Sequence, residues 1–247
     1  MVTGLYTAAW GMDAQTERIS VLANNLANLA TAGFKADHPE FSQLLTPSTT
    51  AGPVPPAGPA GPPSPLPLAM RTVTDHSQGI LRATGNPLDL AISGPGFFVL
   101  DTPGGPRLTR AGNFTRSPEG LLVAADGAPV RGVSGNIQVL DGTVTIDRDG
   151  QVLVDGRSQG HLLVVTPSRL ASLTKTSGTR FTPPDTEALV ASATAVVHQG
   201  AIEMSNVNPV LTLVTLIDAM RTYEAAQRAA RSADDTLARA ANDLGRV

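Results

Sequence analysis

Asn208-Pro209-Val210 opens the stretch that decides the fold, the forty residues from Asn208 to Val247. Asn caps free N–H groups, and proline at the first helical position has no N–H to lose. After it, Leu213, Leu216, Met220, Tyr223, Gln227, Ala230, Asp234, Leu237, Ala241 and Leu244 recur at alternating steps of three and four. That is a heptad seam, the pattern of a helix that winds on another helix.

The partner is expected at the other end of the chain. Leu5, Ala8, Met12, Gln15, Ile19, Leu22, Leu26 and Leu29 repeat the same alternating step. Thr3 reads as an N-cap and Gly33 as the residue that ends the helix, with Phe34 packing back on the last turn. The expectation is a helix from about Gly4 to Ala30. Within it, Asn24-Asn25-Leu26-Ala27-Asn28 is costly for a helix interior. Two readings stand: a polar surface near a fraying end, or amides that hydrogen-bond across an interface formed on assembly.

Composition narrows the function classes. Charged residues make up 16% of the 247 residues, against about 25% in ordinary globular chains. The net charge of −3 leaves no basic field for nucleic acid. With no cysteine, disulfides and thiolate metal sites are excluded. Aromatic residues are 4%, so the core must be built mainly from Val, Leu, Ile and Ala. No apolar run reaches the about 18 residues that span a bilayer. The N-terminus lacks the basic-then-apolar pattern of a cleaved secretory signal.

From Thr46 to Leu68 the chain is low in complexity and holds nine of the twenty prolines. Proline removes donors and fixes φ, so an extended linker or exposed loop is expected there rather than a Pro-rich ligand. From Arg71 to about Gln199 the signals are strands and turns. Leu88–Ile92 alternates, Gly94-Pro95-Gly96 breaks, and Phe97–Leu100 runs apolar. Asp126-Gly127, Asp141-Gly142, Asp149-Gly150 and Asp155-Gly156 then mark turns between short apolar runs. Strands are expected at 120–124, 137–140, 143–146, 151–154, 161–165 and 188–195. The sum is an antiparallel β domain, a small barrel or sandwich.

No constellation for catalysis emerges. His38, His76, His161 and His198 have no ligand spacing. Asp147-Arg148-Asp149-Gly150 has glycine at the wrong place for a calcium loop, and Ser158 stands where the bidentate Glu belongs. Ser172-Leu173-Thr174-Lys175 lacks the companion motifs of a Ser-x-x-Lys hydrolase. Gly94-Pro95-Gly96 cannot cradle phosphate through a proline. No enzyme, no metal and no cofactor is expected.

Three stretches carry a family resemblance. Gly4-Leu5-Tyr6-Thr7-Ala8-Ala9-Trp10-Gly11-Met12, with Leu22–Asn28 and Thr31-Ala32-Gly33-Phe34-Lys35, resembles the N-terminal signature of bacterial flagellar rod and hook proteins. Gly200–Val210 and Met220-Arg221-Thr222-Tyr223-Glu224-Ala225 resemble their C-terminal signature. Gly85–Val99 and Leu108–Phe114 are similar to their β domain. Trp10 departs from the small residue usual there, and the Pro-rich composition of 46–68 is unusual.

The resemblance implies an axial filament subunit of α+β class. Its long terminal helices pair as a coiled coil lining a tube, and a middle antiparallel all-β domain packs outside. The implied parts are an N-terminal rod helix over 1–35, a Pro/Gly-rich linker or extended loop over 36–70, a β domain over 71–200 and a C-terminal rod helix over 201–247. The implied place is the basal-body rod crossing the periplasm, on the proximal side. A distal-rod or hook-type protein is the runner-up, and a secreted adhesin-like module is a reading from another class. Export would be through the flagellar type III channel, without a cleaved signal. The implied partners are further copies, other rod proteins and the export apparatus, with no nucleic acid and no membrane insertion.

The residues expected to form the assembly interface are Leu5, Met12, Ile19, Leu22, Asn24, Asn25, Leu26, Asn28 and Leu29 at one end. At the other they are Asn206, Asn208, Leu213, Leu216, Met220, Tyr223, Leu237 and Leu244. With Gln15, Gln227 and Asp234 in the seams, a lone helix pair is expected to be marginal and to gain order on polymerisation.

Overall fold

The computed structural model describes residues 2–43, 68–184, 190–192 and 194–244. Two long helices bracket the chain: α1 runs from Val2 to Ala27 and α2 from Pro209 to Leu244. α2 starts at the expected proline. α1 starts ahead of Thr3, which therefore lies inside the helix and is not its cap. It also ends before Ala30, because Asn28–Ala30 turn away with hydrogen bonds to Asn25 and Leu26 carbonyls. Gly33 does adopt the left-handed conformation, with φ 68°. Its N–H then donates to the backbone oxygen of Glu203 at 2.8 Å, not to α1.

The chain divides into two compact units. One holds α1 as far as Asn24, residues 37–73 and α2 from Val210. In it, strands Asp37–Gln43 and Leu68–Thr74 form a two-stranded sheet. Thus strands flank the Pro-rich stretch, whose residues 44–67 lie outside the described residues. The other unit holds Asn25–Ala36 and Thr74–Pro209 and is built from antiparallel ribbons. Its largest sheet has five strands in the order Val164–Val165, Phe97–Thr102, Gly105–Thr109, Arg180–Thr182 and Thr174–Ser177. A three-stranded sheet joins Val144–Ile146, Gln151–Val154 and Arg157–His161. Among the described residues no ladder closes into a barrel.

Strand Phe97–Thr102 explains why its sequence is apolar without alternation. Successive side chains of a strand point to opposite faces. Phe98 and Leu100 enter the main core with Leu90, Ile92, Phe114 and Leu122. Phe97 and Val99 enter a second core with Leu108, Val165 and Phe181. Both faces are filled, so a polar residue on either would be stranded. Edge-to-face pairs lock the two layers: Phe98 with Phe114 at 5.1 Å and Phe97 with Phe181 at 5.8 Å between centroids.

The turn signals hold at Asp149-Gly150 and Asp155-Gly156. Asp155 (φ 49°) and Gly156 (φ 77°) form a two-residue left-handed turn between Gln151–Val154 and Arg157–His161. Several expected strands shrink, because their neighbours pair elsewhere. The 137–140 run contributes only an isolated bridge from Gln138 to Leu121. The 161–165 run splits, with His161 ending one strand and Val164–Val165 joining another sheet. Of 188–195, residues 188, 189 and 193 lie outside the described residues. The regular strand there begins at Val196 and pairs with Leu90–Ser93.

One close approach has no slack. A Cβ on Gly112 would sit 1.6 Å from the Leu90 backbone oxygen, at the start of the strand Leu90–Ser93 that lines the main core. Gly112→Ala is expected to destabilise the protein by about 2–3 kcal/mol through forced backbone displacement. Urea unfolding should show a lower midpoint at unchanged slope.

Candidate functional site: the root of the terminal helices

The two ends of the chain meet at one buried carboxylate. Glu203 is fully buried, as is Lys35, and Arg110 is 4% exposed. Lys35 Nζ donates to Glu203 Oε1 at 2.5 Å, and Arg110 NH1 donates to Oε2 at 3.1 Å. The Gly79 N–H adds a third donor to Oε1 at 2.9 Å. Both cations find further acceptors. Lys35 donates to Ser77 O, and Arg110 donates to Ile92 O and Gly94 O. Arg110 also lies over Phe97, 5.2 Å from the ring centre.

Glycines make this approach geometrically feasible. A Cβ on Gly33 would meet Ala111 N at 2.1 Å, and one on Gly79 would meet Met204 O at 2.0 Å. The chain after α1 is therefore pressed on the Arg110–Ala111 backbone, and residue 79 on residue 204. Asn206 completes the joint. Its Oδ1 accepts from the Ala36 N–H at 2.8 Å, while its Nδ2 donates to Asp75 O at 3.0 Å and Ser77 Oγ at 3.1 Å. Phe34, Ala36 and Val207 form a small buried cluster with Leu29 against it. Lys175 caps Phe34, with Nζ 4.0 Å from the ring centre and 2.8 Å from the Lys35 carbonyl.

Burial lowers the Lys35 pKa, against the attraction of Glu203. His76 stands nearby, edge-on to Phe97 and Phe181. Burial, and after it the Lys35 charge, lowers its pKa as well. Its Nδ1 is buried without a hydrogen-bond partner among the described residues, so the imidazolium is poorly served. Among the described residues no three His, Cys, Asp or Glu side chains are grouped to hold a metal.

The expected interface residues fall into two sets. On α1, Val21, Leu22 and Asn25 are buried; Met12, Ile19, Leu26, Asn28 and Leu29 are half-buried; Asn24 is exposed. The Asn patch therefore splits, with Asn25 inside the monomer and Asn28 accepting from Thr31 Oγ1 at 3.1 Å. On α2 the buried stripe is rotated from the expected seam. Thr212 and Ala219 are buried, and Leu216, Tyr223, Ala226 and Ala230 are half-buried behind them. Leu213 and Met220, expected inside, are exposed, and so is Asn208. The side chains of Leu5, Leu237 and Leu244 lie outside the described residues.

Sequence reasoning missed Lys35, Arg110 and Glu203 as a unit. The one signal was a lone Glu inside the apolar run Ala201-Ile202-Glu203-Met204 of a chain poor in charge.

Glu203→Gln is expected to destabilise by about 3–5 kcal/mol, because it leaves two buried cations without their anion. Adding Lys35→Met should recover part of that loss in thermal unfolding. His76 supplies a pH signature. Its folded pKa lies below the unfolded value of about 6.5, so the unfolded chain binds more protons below that pH. Stability is expected to be full above about pH 6.5 and to fall as pH drops below it. His76→Phe should flatten that slope in pH-dependent unfolding.

Comparisons with known proteins agree in chain order. Residues 5–35 match the family described as "Flagella basal body rod protein". Residues 91–154 match "Flagellar hook protein FlgE/F/G D1 domain", and 198–244 match "Flagellar basal body rod FlgEFG protein C-terminal". The chain is 33% identical to the flagellar basal-body rod protein FlgF of Caulobacter vibrioides, covering 93% of this chain and 92% of that one. It is 33% identical to FlgG of Agrobacterium fabrum over 94% and 95%, and 32% identical to FlgF of Rhizobium meliloti over 99% of each. All three matched segments border on or contain the residues that converge on Glu203, and the chain belongs to the flagellar basal-body rod protein family.

Proposed function

We propose that this chain is a non-catalytic structural subunit of the flagellar basal-body rod, of the proximal FlgF type. It polymerises through α1 and α2, which pack as a coiled coil, and it takes its place in the rod as it crosses the periplasm. Its partners are further copies and other rod proteins, and it reaches them through the flagellar export apparatus without a cleaved signal. No cofactor enters this reading. Its working parts are the rod helices over 1–35 and 201–247, the 36–70 connection and the 71–200 β domain. The distal rod is a second reading, favoured by the equal identity to a FlgG protein.

The observation that carries the proposal is the first three turns of α2, which are apolar on two faces. One face is the buried stripe. The opposite face exposes Val210, Leu213, Val214, Ile217 and Met220, at 72, 47, 60, 45 and 49%. A contiguous exposed apolar patch marks an interaction surface. Removing it from water contributes about 25 cal/mol per Å², which an isolated monomer forgoes. Nothing else among the described features offers a site for chemistry, whereas a helix finished on one face only is what a filament subunit requires.

Ile217→Asp tests this. The site is exposed, so the monomer's unfolding should shift by no more than about 0.5 kcal/mol. Swimming in a strain carrying only this variant should be lost, with the protein missing from purified basal bodies. Full motility with normal incorporation would overturn the reading.

A further inference from the structure

The geometry points to the occupant of that α2 face: the outward face of α1 on a second copy of this chain. This rests on the rod-subunit reading and names the contact within it.

Leu29, next to the end of α1, and Val207, just before α2, pack into one small cluster with Phe34 and Ala36. The two helices thus leave from neighbouring points, and heights along each are comparable. At 1.5 Å per residue, Ser20 lies roughly 11 Å from the end of α1 at Ala27, and Ile217 roughly 12 Å from the start of α2 at Pro209. Near the root, the exposed face of α1 carries Ser20, Ala23, Asn24 and Ala27, short side chains that leave a shallow surface. At the same heights α2 exposes Val210, Val214 and Ile217, which are knobs. Bulky side chains of one helix fill the space above small ones of another.

Farther out, both faces turn charged, and with opposite sign. α1 exposes Glu17 and Asp13; α2 exposes Arg221, Arg228 and Arg231 against Glu224. Glu17 stands roughly 15 Å from the end of α1, and Arg221 roughly 18 Å from the start of α2. Among the described residues neither forms an ion pair within its own chain. Both the onset of charge and its sign therefore match at a common height. Within one chain, α1 turns its buried side chains Val21, Leu22 and Asn25 away from this face. The face that remains is available to the α2 knobs of another copy.

The chain's lack of cysteine makes the test clean. Two differently tagged copies, Ser20→Cys and Ile217→Cys, are co-expressed in flagellated cells lacking the native gene, and basal bodies are analysed on non-reducing gels. A disulfide-linked dimer carrying both tags is expected, absent when Ala219→Cys replaces Ile217→Cys. Both tags present in basal bodies without that dimer, or an equal dimer with Ala219→Cys, would overturn the pairing and leave the rod reading standing. Absence of even the tagged cysteine-free protein from basal bodies would sink the rod reading itself. Charge reversal decides the matter if the cysteine variants do not incorporate. Glu17→Arg and Arg221→Glu should each shrink swim rings severalfold, and the double reversal should restore them. Normal rings for the single variants, or no rescue by the double, would also overturn the pairing.

Discussion

The segments that follow α1 and precede α2 are held in the β unit by Glu203, which carries two cations out of water. Desolvating Lys35, Arg110 and Glu203 together is expensive, and their mutual attraction compensates only with good geometry and every remaining donor placed. That condition is nearly met. Lys35 and Arg110 each reach a backbone carbonyl besides the carboxylate, and Gly79 N–H closes on Oε1. A hydrophobic triple of the same volume would hold as well but would tolerate slippage. A carboxylate between two directional donors fixes one register for three segments far apart in sequence: Gly33–Ala36, Arg110–Gly112 and Glu203–Asn206. Gly33, Gly79 and Gly112 follow from that register, since each stands where a Cβ would strike backbone of a neighbouring segment.

This constraint also accounts for what the sequence disclosed and what it hid. The helices, the Asp155-Gly156 turn and the doubly buried strand at Phe97–Leu100 are local: period, turn chemistry and apolar runs reveal them. The ion cluster is not local. Lys35 and Glu203 are 168 positions apart, and Arg110 is 93 from Glu203, so no spacing rule connects them. Short strands failed for a related reason. Runs such as 137–140 have the composition of strands, but they bond to 120–122 over too few residues to make a regular ladder.

The seam expected on α2 divides in a more instructive way, with Leu216, Tyr223 and Ala230 half-buried and Leu213 and Met220 exposed. Between Val210 and Met220 nearly every turn offers apolar residues on two faces. A three-four pattern then has two solutions, one through Leu213 and Met220 and one through Thr212 and Ala219. Periodicity finds that a stripe exists; it does not say which stripe is filled from within. Large side chains are the natural guess for the inside, and here the small ones are inside. The Asn patch divides similarly, because consecutive positions on a helix face different surroundings.

The choice of small residues for the inward stripe has a mechanical consequence. The inward stripe of Thr212, Ala219 and Ala226 is made of small side chains, so its burial removes little apolar area and contributes modestly to a lone monomer. The larger apolar reserve lies outward, where only a neighbour can cover it. The root, by contrast, is complete in the single chain, held by Glu203 and Asn206. On the proposed reading, such a division suits a subunit whose helices accept new neighbours. Stability is concentrated where orientation is set, and left unfinished where assembly has yet to occur.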